Sequence, residues 1–228
     1  AEIAKRLAGE GFMVAVTYRS SRDEAEALVS GMDNAIALQS DITDPKAAQI
    51  VVAQVLARFG TTPDTLVLCA SDPTLYGAAA DGDFRLFANH LDFQLLGPHA
   101  LASACLVGMV ERGHGVVVAI GSSVTEAAPP VGMTPYVVAK AALTSYMKCL
   151  AVEFGPKGIR ANVVAPGMTQ TALLATMPSR LRKVSAAQTP TRRLAKPTDV
   201  AGAVSYLVSD SASHVNGHTL LVSGGNPI

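Results

Sequence analysis

The chain has 228 residues, of which 49% are hydrophobic and 16% charged, enough for one large domain with a real core and too apolar for an intrinsically disordered chain. Lys plus Arg and Asp plus Glu both total 18, so no net field draws the protein to nucleic acid or to an anionic membrane. No unbroken apolar run approaches the ~18 residues that span a bilayer, and the first residues lack a signal-peptide layout, so a soluble, cytoplasmic protein with no membrane partner is expected.

The first ten residues, AEIAKRLAGE, read as an amphipathic helix ending at Gly11, and FMVAVTY follows as a buried strand over 12–18. That strand ends in Tyr18-Arg19-Ser20-Ser21-Arg22. A helix is predicted over 23–32 and a short strand over 35–39, closed by Ser40-Asp41-Ile42-Thr43-Asp44-Pro45. Asp44 reads as the cap of the next helix, with Pro45 in its first turn, and that helix runs to about Phe59. Asp64–Ala70 returns as a strand, followed by an extended loop from Asp72 that is rich in Gly and Ala.

A long helical pattern covers about 84–112, with an interruption expected near Gly97-Pro98. GVVVAI at 115–120 is a β-branched strand ending in Gly121-Ser122-Ser123, and a helix opens near Pro135 and runs to about 154. Residues 157–167 give a buried strand and a Pro-Gly turn. The long insertion at 172–196 has the position of a lid, apolar at one end (Leu173, Leu174, Met177, with Met168 just before) and cationic at the other (Arg180, Arg182, Lys183, Arg192, Arg193). A helix over 197–208 and a strand over 218–222 close the chain before Ser223-Gly224-Gly225. Strand and helix alternate throughout, which specifies a doubly wound α/β domain over 1–228 with a parallel sheet and helices on both faces.

Cys69, Cys105 and Cys149 lie in apolar contexts without C-x-x-C spacing and read as buried free thiols. The five histidines form no ligand cluster, because Asn216-Gly217 separates His214 from His218, and no metal site is expected.

The chemistry concentrates at 121–140. Tyr136 and Lys140 are spaced i, i+4 and rise from one helix face, where both side chains can touch a common ligand. A phenol is a weak acid near neutral pH, and a neighbouring ammonium favours the phenolate, so the pair is expected to bring Tyr136 toward the working range. Ser123, thirteen residues before Tyr136 and at the end of the strand, supplies a hydroxyl for the same substrate oxygen.

Ser-x12-Tyr-x3-Lys, together with Asn162-Val163-Val164-Ala165-Pro166-Gly167 and the terminal Gly-Gly, resembles the short-chain dehydrogenase/reductase family, most of all its 3-oxoacyl-[acyl-carrier-protein] reductases. The resemblance implies a Rossmann fold with a seven-stranded sheet, Ser123, Tyr136 and Lys140 as the catalytic set, and Gln94 where the family places the asparagine of its proton relay. It implies that Asp41 contacts adenine, that Ala70 is what remains of an Asn-Asn-Ala-Gly text read here as Leu68-Cys69-Ala70-Ser71, and that Pro166, Gly167, Thr169 and Thr171 lie against the nicotinamide end, with Tyr136 and Lys140 also on the cofactor. In dinucleotide-binding folds an acid at the end of the second strand accepts from the ribose hydroxyls, and Arg19 and Ser20 stand there instead, so NADP(H) is expected over NAD.

The same resemblance implies NADPH-dependent reduction of a ketone such as a 3-oxoacyl thioester on an acyl carrier protein, by a homotetramer or homodimer. A non-catalytic member of the family, or a dehydrogenase acting on another small alcohol, is the alternative. The family's first strand and its Thr-Gly-x-x-x-Gly-x-Gly loop have no counterpart here. Without them two neighbouring strands stand unpaired, so the natural protein is expected to carry roughly 10–20 further N-terminal residues.

Overall fold

The structure is a computed structural model, and it describes residues 1–70, 77–81, 83–126, 128–174 and 177–225, with the backbone alone at 81 and 173. Ser71 and the Asp72-Pro73-Thr74 segment lie outside the described residues. Helices and strands alternate as α1 (Glu2–Gly9), β1 (Val14–Tyr18), α2 (Arg22–Ser30), β2 (Ala35–Gln39), α3 (Ala47–Phe59), β3 (Thr65–Leu68), α4 (Phe84–Leu91), α5 (Gly97–Arg112), β4 (Gly115–Ile120), α6 (Thr134–Phe154), β5 (Ile159–Pro166), α7 (Ser179–Gln188), α8 (Pro197–Val208) and β6 (Thr219–Val222).

Every strand pairing among the described residues is parallel, as the alternation requires. The order is β1-β2 in one pair and β3-β4-β5-β6 in a group of four. Among the described residues no strand bridges β1 to β3, so both present an unpaired edge.

β4 shows how the sequence builds two layers. Its side chains alternate, with Val117 and Ala119 on one face and Val116 and Val118 on the other, and all four are 0–1% exposed. The first face packs against Ala102, Cys105 and Met109 of α5 and Leu143, Met147 and Leu150 of α6. The second packs against Leu7 of α1 and Val204 and Leu207 of α8. Burying both faces is why the strand is a continuous β-branched run with no polar residue.

The helix over 84–112 departs from expectation. Gly97 and Pro98 do not interrupt it. Instead the turn Asp92–Leu96 widens to a π turn, and Gly97 N donates to Asp92 O five residues back. Proline lacks an N–H and its ring crowds the preceding turn, and the wider turn accommodates both conditions without ending the helix. Glycine at 97 allows close packing, since a Cβ there would lie 2.6 Å from both the Cγ1 and the backbone oxygen of Ile42. The continuous stretch Phe84–Arg112 is long and apolar enough to cross a membrane by length and composition, and α5 buries Ala102, Cys105 and Met109 in the core.

Two smaller corrections follow. Asp44 does not cap α3 directly: its Oδ1 accepts from Lys46 N at 2.9 Å, one residue before the helix begins. Of the cysteines only Cys105 is buried, and burial pushes its thiol up to about 12. Cys69, at the open end of β3, and Cys149, on the outer side of α6, are exposed.

Candidate active site

The site forms where β4 ends. Gly121 N donates to Val164 O at 2.8 Å, and a Cβ at Gly121 would lie 2.6 Å from Val163 Cγ1, so glycine keeps the chain close to β5 as it leaves the sheet. Ser122 continues extended with its side chain buried, and Ser123 then opens a 3-10 turn ending at Thr125.

On the far side of the loop, α6 is anchored before it begins. Gly77 N donates to Gly132 O at 2.7 Å, and Thr134 N donates to Gly77 O at 3.2 Å. A side chain at Gly77 would run into Leu86 and lie 3.3 Å from Pro135 Cγ. This short bridge fixes the helix start two residues ahead of Tyr136.

Tyr136 and Lys140 then emerge one turn apart. Lys140 is only 3% exposed, its Nζ donates to Ile120 O at 2.7 Å, and the Nζ lies 5.9 Å from the Tyr136 ring centroid. Burial brings its ammonium down from 10.5 to about 8, with a smaller opposing influence from Cys69. Burial likewise pushes the Tyr136 phenol up, and a hydrogen bond from Ser122 opposes that rise.

One expectation is corrected here. Tyr136 is not drawn below its ordinary value, because loss of solvent outweighs the Ser122 hydrogen bond, and the phenol is held protonated. The hydroxyl that holds the Tyr136 phenol down is that of Ser122, a residue the sequence did not single out beside Ser123. Adjacent serines cannot be separated by spacing alone; the extended backbone at 122 turns one toward the helix before the 3-10 turn redirects the next.

Gln94 is fully buried in the π turn, which packs against α6. One turn earlier is a residue the sequence did not single out: His90, 1% exposed, whose ring centroid lies 6.1 Å from that of Tyr136 with the planes at 74°. Its only signal was a histidine on an otherwise apolar helix face.

The cofactor residues assemble in part. A cavity of about 370 Å³ at the ends of β1 and β3 is lined by Arg19, Ser20, Ser40, Ala70 and Phe93, among others, and among the described residues no carboxylate lines it. The Arg19 guanidinium stands 5.2 Å from the Phe93 ring centroid, a cation–π contact. A cation, hydroxyls and an aromatic face together fit the adenosine end of a dinucleotide. Asp41 is not in the lining. Its Oδ1 accepts from Thr43 N at 3.0 Å and Oγ1 at 2.8 Å, and these bonds hold its carboxyl below its ordinary value.

At the end of β5, Gly167 N donates to Val222 O at 3.1 Å, and Thr169 Oγ1 donates to Gly167 O at 2.9 Å. Pro166 and Gly167 are half-buried beside this turn, while Thr171 is exposed. A bridge between Thr169 and Ala195 ties together the two ends of the insertion. Within the insertion, α7 buries no side chain, whereas Leu174 and Met177 are half-buried; Leu173's side chain is outside the described residues. Two of the five cations have local partners, Arg193 with both carboxylate oxygens of Asp199 at 2.5 and 3.1 Å and Arg192 with Ala187 O.

Known proteins resemble the chain along nearly its whole length. A family model described as enoyl-(acyl carrier protein) reductase matches residues 1–226. The human dehydrogenase/reductase SDR family member 4 is 31% identical over 231 residues, spanning 99% of this chain and 82% of the relative. The 3-oxoacyl-[acyl-carrier-protein] reductase FabG of Staphylococcus aureus is 30% identical over 233 residues, spanning 98% of this chain and 91% of the relative. Among solved structures, that of gox2181 superposes with a TM-score of 0.90 at 30% identity, covering 99% of this chain and 90% of the other. Matched along almost its whole length in sequence and in fold, the chain belongs to the short-chain dehydrogenase/reductase family and is an oxidoreductase of CH–OH and C=O groups that uses NAD(P)(H).

Proposed function

We propose that the protein reduces a ketone with NADPH, and that its substrate is a 3-oxoacyl thioester on an acyl carrier protein, converted to the 3-hydroxyacyl thioester. The observation that supports it most is the Tyr136 phenol, kept protonated by burial, with the Ser122 hydroxyl bonded to it and the Lys140 ammonium near its ring. A proton donor for a developing alkoxide must hold its proton until the transition state, and this environment favours that.

Tyr136 gives its proton to the carbonyl oxygen as that oxygen becomes an alkoxide. Ser123, next along from Ser122, steadies the same oxygen by a hydrogen bond. The Ser122 hydroxyl and the Lys140 ammonium then stabilise the phenolate left behind, and Gln94 stands in the position of the family's relay amide. NADPH, when bound, would supply the hydride to the carbonyl carbon, so that ketone, NADPH and one proton would yield alcohol and NADP+. Arg19, Ser20 and Ala70 would hold its adenosine end, and Lys140, Pro166, Gly167, Thr169 and Thr171 its nicotinamide end. The lining of Arg19 and hydroxyls, with no carboxylate among the described residues, favours a 2′-phosphate over a bare ribose.

The carrier substrate is supported by the kinship to FabG and by the exposed Arg180 and Lys183 on α7, which suit an acidic partner. We further propose a cytoplasmic homotetramer in which α5 and α6 pair with their copies. Exposed Val107, Val138 and Val152 on those helices support that arrangement.

The test is Tyr136→Phe. Turnover of NADPH with a 3-oxoacyl thioester should fall to background, while a fluorescence titration shows NADPH binding nearly unchanged. A variant that keeps the wild-type rate overturns the assignment.

A further inference from the structure

A phenol used as an acid has to be aimed as well as placed. The tyrosine O–H lies in the plane of its ring, so ring orientation decides where the proton can point, while the torsion nearest the backbone decides where the oxygen sits. The ring torsion of tyrosine is broad and roughly two-fold, and the backbone of α6 alone does not fix it.

His90 meets that need. It stands in the last turn of α4, on the side packed against α6, and meets the Tyr136 ring edge-to-face at 6.1 Å and 74°. Such a contact restricts both the swing and the rotation of the partner ring. At 1% exposure the imidazole lies inside the core, so the contact with Tyr136 is fixed by packing on both sides. The π turn begins two residues later, at Asp92, a local departure of the kind that accompanies functional sites.

We infer that His90 is a positioning residue for Tyr136: its ring holds the plane of the phenol so that the proton points at the substrate oxygen. The inference rests on the reading of Tyr136 as proton donor. It assigns His90 no proton transfer of its own.

His90→Leu and His90→Phe should be compared with wild type in steady state and with deuterated NADPH. His90→Leu removes the aromatic edge, and kcat should fall about tenfold, the upper range for such a contact, with KM for both substrates unchanged and the isotope effect on kcat enlarged. His90→Phe keeps an aromatic edge without the nitrogens and should recover kcat to within about threefold of wild type. Wild-type kcat in His90→Leu overturns the inference. So does a His90→Phe as slow as His90→Leu, or a loss confined to KM or to thermal stability. Should His90→Leu fail to fold, His90→Phe alone still decides, because an unrecovered kcat sinks the proposal. Tyr136→Phe measured alongside separates the two readings: an active Tyr136→Phe removes the proton donor itself, whereas an inactive one beside a fully active His90→Leu removes only the positioning role.

Discussion

Replacing Lys140 by methionine tests whether the site holds a charge that the fold would be more stable without. Burial lowers the Lys140 ammonium from 10.5 in the unfolded chain to about 8 in the folded one. Each pH unit between those values is worth about 1.4 kcal/mol, so the desolvation handicap is about 3 kcal/mol. The sign follows from proton counting. Below about pH 8 both states hold the proton and the folded state bears the whole handicap; from there to about 10.5 the unfolded state binds more protons, so raising the pH stabilises the fold. Lys140→Met has nothing to titrate in that window. The stability of wild type minus that of the variant, from urea unfolding at matched pH, should therefore rise by about 3 kcal/mol between pH 8 and 10.5, other alkaline titrations cancelling in the difference. At pH 7 the variant loses the donor to Ile120 O, a cost of about 1–3 kcal/mol that offsets its relief from the buried charge, so the slope and not the offset is the measurement. A difference that stays flat with pH would show that Lys140 is not desolvated as described. Turnover of the variant should be lost throughout.

The two serines should separate by their pH profiles. Ser123→Ala should lower kcat by about a hundredfold, the usual cost of one donor to a developing oxyanion. Ser122→Ala should instead move the alkaline limb of the reduction profile to higher pH, because the Ser122 hydrogen bond is what holds the phenol down against burial. A large kcat loss in Ser122→Ala with little effect in Ser123→Ala would exchange their roles. Arg19→Asp should shift the NADPH to NADH preference in kcat/KM toward NADH by roughly 10–100-fold, the worth of a charge-assisted contact. Phe93→Ala, which removes the ring under Arg19, should weaken that preference by about two- to fivefold. Unchanged ratios in both would mean that Arg19 does not read the phosphate.

The fold was legible wherever burial is two-sided. GVVVAI at 115–120 has no polar residue because both of its faces are covered, and its boundaries match β4. The Tyr136–Lys140 pair was legible because helical period alone puts the two on one face. What could not be read is what depends on packing between distant elements. Ser122 and Ser123 are equivalent in spacing, and only the backbone path distinguishes them. The influence of Lys140 on Tyr136 was misjudged because charge proximity can be inferred from sequence and desolvation cannot. Asp41 looked like a ligand for adenine, yet its Oδ1 is taken up two residues away by Thr43. His90 became visible only when α4 was seen against α6.

The π turn at Asp92–Leu96 has a consequence for how this chain tolerates length changes. Each residue of an α-helix advances about 100° around its axis. The one extra residue lets His90 meet Tyr136 of α6 while Cys105 and Met109 of the same continuous helix face the sheet core. Deleting a single codon in that turn would restore ordinary winding and force a choice. Either the half bearing His90 would roll off its neighbour, or the half bearing Met109 would roll out of the interior. Insertions and deletions that the surface segment around α7 can absorb should therefore be purged here, even where every remaining residue is unchanged.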